Sequence, residues 1–183
     1  MNYMKHFLVL FFDEPANQYL DRICSSLFAS YCPQCDYKPH EHHLTIQYFQ
    51  CDESHYPKMI HEVNKLLPIF LPIQIEITAV HEYVNELNNF CCLSLLTEKS
   101  PRLMELHNRI TAPIDDLHLH HEPSEIWPPH ITCFQGLELD RRPGNWQPDL
   151  VKHLFEEKPP ELNGIELRFT RWTGTHIETI HRF

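Results

Sequence analysis

The sequence predicts an α+β fold: two pseudo-symmetric lobes whose antiparallel sheets flank a central cleft, with helices on the outside. Strand-like and helix-like segments alternate along all 183 residues. Each half repeats one plan of strand, amphipathic helix, loop rich in histidine and proline, then a strand that opens His-x-Thr. The length suits one compact domain spanning residues 1–183, long enough to bury a real core.

The elements follow in order. "HFLVLFF" (His6 to Phe12) reads as a strand, and Asp13 with Pro15 opens a helix by capping and preset φ. Leu20, Ile23, Cys24, Leu27, Phe28 and Tyr31 then recur at helical spacing and form one apolar stripe. "HLTIQYF" is rich in β-branched and aromatic residues, which favour strands. Ser54 caps the next predicted helix, which carries Met59, Ile60, Val63, Leu66 and Leu67 and stops at Pro68. In "PIQIEITAV" the apolar residues alternate, as in a strand with one buried face. "NFCCLSLL" is a further strand, and Ser100-Pro101 opens a helix through Leu103, Leu106 and Ile110 up to Pro113. After the second His/Pro loop come "HITCF", a short helix "PDLVKHLFEE", and two closing strands, "GIELRFTRW" and "THIETIHRF".

Composition removes several functions. The first 135 residues hold no glycine, which excludes a dinucleotide fingerprint and a P-loop there, since both need backbone to approach phosphate unhindered. A formal net charge of -10 at pH 7 repels long nucleic acid, so a nucleotide partner should be short or held locally. No segment reaches the length of a membrane span, and no secretory signal is legible, so a cytoplasmic location and no membrane partner are expected. Seven cysteines without an export signal read as reduced, partly buried thiols. Oligomeric state is not legible.

The chemistry-bearing residues lie in the two His-x-Thr strands. Residues two apart on a strand share a face, so His43 emerges beside Thr45 and His130 beside Thr132, while Leu44 and Ile131 face the other way. "HLTI" and "PHITC" in a duplicated α+β chain resemble the paired motifs of the two-histidine (2H) phosphoesterase superfamily, which includes 2′-5′ RNA ligase-like proteins and cyclic phosphodiesterases. The resemblance covers nearly the whole order of elements. It implies His43 and His130 as an acid/base pair, Thr45 and Thr132 as hydroxyl donors to phosphate, and a nucleotide or short RNA-type phosphodiester, 2′,3′-cyclic or 2′-5′-linked, as substrate. Cys133 departs from the larger apolar residue usual there, and "FQG" follows where many relatives carry a basic residue.

The same chemistry stands on the residues alone. Opening a ribose cyclic phosphate needs one group to take a proton and another to give one. Imidazole titrates near neutral pH, so two rings in opposite states can share that work with no metal or cofactor. Threonine hydroxyls can stabilise charge building on the nonbridging oxygens.

Further candidates surround the motifs. Tyr48, Trp127, Phe134 and Trp172 are available to stack on a base, and Arg168 and Arg171 to meet a phosphate. "CPQC" (Cys32 to Cys35) with His40 and His42, and His118, His120 and His121 nearby, offers zinc-type ligands for a metal-stabilised interaction module. Asp115-Asp116 reads as solvated loop charge. A noncatalytic nucleotide or RNA-end binder of the same fold is the competing function.

Overall fold

The structure, a computed structural model, describes residues 4–33, 36–38, 40–87, 89–123, 127–138, 161–174 and 176–183. Strand β1 (Met4–Phe12) leads into helix α1 (Glu14–Tyr31), then β2 (His43–Cys51), a 3-10 turn (Glu53–His55) and α2 (Tyr56–Phe70). Strands β3 (Ile73–Ile75), β4 (Ile77–Asn85) and β5 (Phe90–Thr97) precede α3 (Pro101–Asp116) and the two-residue β6 (His120–His121). Strands β7 (His130–Glu138), β8 (Leu162–Trp172) and β9 (Ile177–Arg182) complete the order. The helix expected over "PDLVKHLFEE" lies outside the described residues.

The expected caps hold at two helices. The Asp13 carboxylate accepts the Ala16 N–H at 3.0 Å, and the Ser100 hydroxyl accepts that of Leu103 at 3.3 Å. At the second helix Ser54 is itself held by Asp52, whose carboxylate accepts the Ser54 N–H at 2.9 Å. Neither Pro68 nor Pro113 stops its helix. A proline removes its own donor and crowds the carbonyl four residues back, but carbonyls beside it still accept: Leu71 N–H reaches Leu67 O, and Leu117 N–H reaches Pro113 O.

All pairings are antiparallel, and the main sheet path runs β3-β8-β1-β2-β7-β5-β4, with β6 added to β2 and β9 to β8. The single strand expected over "PIQIEITAV" is two. Its first half, β3, pairs with β8 of one lobe, and its second, β4, pairs with β5 of the other. The break at Glu76 is where the chain changes lobe, and the Glu76 carbonyl accepts the Glu98 N–H at 2.8 Å.

The helices cover one face of this curled sheet, and a contiguous apolar core fills the space between, from Leu8 and Leu10 through Leu20, Leu27 and Leu44 to Leu106, Ile131 and Phe169. Helices α1 and α3 reach across between the lobes. Helix α1 follows a strand of the first lobe but lies against β7 of the second, where Phe28 meets Phe134 with ring centroids 4.8 Å apart. Helix α3 follows β5 yet lies against β2, its His107 Nδ1–H donating to the Ile46 carbonyl at 2.6 Å. The opposite face of the sheet is left for the groove.

Candidate active site

The groove is organised by one register. Leu44 of β2 lies opposite Ile131 of β7, and both side chains are fully buried on the core side. One step either way in an antiparallel ladder brings His43 opposite Thr132 and Thr45 opposite His130. Each motif's imidazole therefore faces the other motif's hydroxyl. Directly opposed Cβ atoms in such a ladder sit about 4.5–5.5 Å apart and diagonal ones about 7–8 Å, and His43 and Thr132 do share one pocket wall.

Both rings are oriented alike. The His130 Nδ1–H donates to the Pro128 carbonyl at 2.8 Å, and that of His43 to the Glu41 carbonyl at 3.5 Å, the long limit of a hydrogen bond. With Nδ1 occupied by a carbonyl acceptor, the neutral tautomer carries its lone pair on Nε2. Burial pushes the His43 pKa down to about 4; the Glu41 carbonyl offsets this in part, and the positive potential of His40 and His42 adds to it. His43 is thus neutral at physiological pH.

A pocket of about 400 Å³ opens beside this motif pair. His43 and Thr132 belong to its wall, with Phe28, Tyr37, Phe134 and Ile177 supplying apolar surface. His40 reaches across the rim, its Nε2–H donating to the Thr132 carbonyl at 3.3 Å. The pocket is large enough for a base or sugar beside the His-Thr pairs.

The sequence profile described as the 2′-5′ RNA ligase superfamily matches residues 11–176. The chain belongs to that superfamily. Among solved structures, TT0787 of Thermus thermophilus is similar at 16% identity and a TM-score of 0.67, over 98% of this chain and 97% of that one. LigT of E. coli, solved with NADP+ and with 3′-AMP, is similar at 10% and 14% identity with TM-scores of 0.59 and 0.57, over 100% of this chain and 98% of LigT. At these identities the likeness is one of fold. No curated protein sequence matches the chain.

As a two-histidine phosphoesterase, the protein is of phosphodiesterase type. Strand register sorts the remaining candidates. Tyr48 lies opposite Phe7 on the face that carries His43 and Thr45, half-buried, its hydroxyl accepting from Gln50 at 2.8 Å. Trp172 shares that face, is 41% exposed, and pairs with the pocket residue Ile177. Trp127 is corrected to the core. It is 4% exposed, lies flat on His107 at 4.0 Å, and its indole N–H donates to the Thr45 carbonyl at 3.1 Å, bracing the strand from behind.

Arg171 is corrected too. It lies opposite His6, on the other face of the sheet, and its guanidinium is spent on Glu178 and Glu53 at 2.7 and 2.9 Å. Arg168 is on the groove face but only 6% exposed, and it is held by the carboxylates of Glu41 and Glu166. Glu41 and Phe11, whose ring lies 5.5 Å from that of His43, have no motif of their own; only position beside "HHLT" marks Glu41 in the sequence.

The zinc reading does not survive in its original form. Cys32 is disulfide-bonded, which removes its thiolate and departs from the expectation of reduced thiols; Cys24, Cys51, Cys91, Cys92 and Cys133 are free. Cys35 lies outside the described residues. His42 is buried against Asp21, with Nε2 2.9 Å from its carboxylate. Among the described residues no three His, Cys, Asp or Glu side chains converge as metal ligands, and no helix is long and apolar enough to cross a membrane. Asp115 is engaged by His121 at 2.7 Å.

Four histidines, His6, His42, His43 and His107, have pKa values lowered chiefly by burial. Each takes up a proton more readily when the chain unfolds. Stability contributed by their neutral forms is complete above the ordinary histidine value near 6.5 and is lost as pH falls through the window below it, down to about 4 for His43. The melting temperature should therefore decline steadily from pH 7 to pH 4. A flat profile between pH 7 and pH 5 would contradict this burial.

Proposed function

We propose that the protein is a metal-independent phosphodiesterase of 2′,3′-cyclic or 2′-5′-linked phosphodiesters in nucleotides or short RNA, residues 1–183 acting as one unit. The observation that carries this reading is the Leu44–Ile131 pairing, which joins the two His-x-Thr strands at their motifs, with His43 and Thr132 in one pocket wall. The solved LigT complexes with 3′-AMP and NADP+ support a nucleotide-sized ligand.

For a 2′,3′-cyclic substrate, His43 Nε2 takes a proton from water as the water oxygen bonds to phosphorus. The bond from phosphorus to one ribose oxygen breaks, and His130 Nε2 delivers a proton to that oxygen. Thr45 and Thr132 donate to the nonbridging oxygens as charge grows there. For a 2′-5′ linkage the departing oxygen is the 5′ one. Tyr48, Phe134 and Trp172 flank the base and sugar.

Incubation with 2′,3′-cyclic nucleotides, 2′-5′ oligoadenylates and cyclic dinucleotides, followed by product analysis, tests the reading. Cleavage of at least one class, undiminished by EDTA, is expected. Complete recovery of every uncut substrate would favour a noncatalytic binder, and activity abolished by EDTA and restored by a divalent metal would reject the two-imidazole mechanism.

A further inference from the structure

We propose that Arg168 is a positioning residue for His43: by clamping the Glu41 side chain, it holds the Glu41 carbonyl where His43 Nδ1–H donates to it, which aims Nε2 at the phosphate. The inference rests on the reading of His43 as a proton-transfer group.

The geometry is that of a clamp. Arg168 meets Glu41 through two hydrogen bonds, Nη1 to Oε2 and Nη2 to Oε1, both 2.6 Å. It meets Glu166 through Nε to Oε1 and Nη2 to Oε2, both 2.9 Å. Its guanidinium carbon lies 3.6 Å from the centre of the Phe11 ring, and the His43 ring lies 5.5 Å from that same ring. Only a planar guanidinium can satisfy two carboxylates and an aromatic face together.

Charge argues against the alternative role of phosphate ligand. Two carboxylates already neutralise the guanidinium, and Arg182 approaches Glu166 at 3.8 Å, so Arg168 offers a phosphate no surplus of positive charge and its release would cost four hydrogen bonds. The carbonyl that Arg168 controls lies between two anchored points. Glu41 sits in irregular backbone and its side chain is 53% exposed. The next residue is pinned from the opposite side, His42 N–H to Asn17 Oδ1 at 3.3 Å and its ring to Asp21 at 2.9 Å. With Arg168 on one side and α1 on the other, the peptide that feeds into His43 is fixed at both ends.

The test compares Arg168→Met, which keeps the apolar stem, and Glu41→Gln, which leaves the fold untouched at an exposed side chain. The ¹⁵N chemical shifts of the His43 ring report its tautomer, and steady-state kinetics report kcat and KM. Wild type is expected to hold the Nδ1–H tautomer. In both variants the tautomers should mix, with kcat down about 10- to 100-fold, the scale of a small misplacement, and KM within twofold. Unchanged ring shifts in a folded variant, unchanged kcat, or a raised KM with kcat retained would overturn the proposal, the last by marking Arg168 as a substrate ligand. If Arg168→Met fails to fold, Glu41→Gln decides. The ring shifts need no turnover, so an inactive wild type defeats the functional reading while leaving this one separately decidable.

Discussion

His130→Ala should lower turnover of the preferred phosphodiester by about 10²–10⁴-fold, the usual worth of a placed general acid or base, with an unchanged melting temperature. The ring is only half-buried, and its hydrogen bond to the Pro128 carbonyl can pass to water. His43→Ala should cost as much. The double variant should be little worse than either single, because two groups serving one proton-transfer step are lost as a unit. Thr45→Val and Thr132→Val should each cost less, since each removes one hydroxyl while the rings remain. Rates near wild type in either histidine variant would end the mechanism.

Trp127→Ala is expected to destabilise the fold by about 3–5 kcal/mol, in the range of large aromatic deletions from a core. The indole is stacked on His107 and bonded to the Thr45 carbonyl, so the loss includes a cavity and an unpaired backbone acceptor. Trp127→Phe separates the parts: it keeps most of the bulk and should cost about 1–2 kcal/mol, mostly the missing donor. Urea denaturation measures both. A Trp127→Phe protein of wild-type stability but with KM raised tenfold would return this residue to the substrate, the role that its position before "PPHITC" suggests.

The His-x-Thr faces are legible in the sequence because strand periodicity depends only on neighbours. Thr45 and Thr132 follow their histidines by two residues, so the pairing of side chains on a face needs no tertiary knowledge. The apolar stripe of α1 and the caps at Asp13 and Ser100 are legible for the same reason. What stays hidden is nonlocal. Arg168 and Glu41 are 127 residues apart, and nothing along the chain distinguishes an arginine awaiting a phosphate from one already clamped. Alternation in "PIQIEITAV" holds for Ile73, Ile75 and Ile77 but slips at a bulge before Ala79, which is exposed while Val80 packs inward, and it cannot reveal that the two ends pair with different lobes. Trp127 reads as available to a ligand because it precedes the second His-x-Thr motif; its burial depends on His107 arriving from α3.

The helices that reach across restrict how the two halves can move. Swinging one away from the other would drag α1 off β7 and α3 off β2, exposing apolar surface that the core now covers. Such a molecule cannot work like a jaw that shuts on its prey. Discrimination among ligands must come from the fixed gap and from side chains on its lip, and heat should dismantle both halves in a single cooperative step.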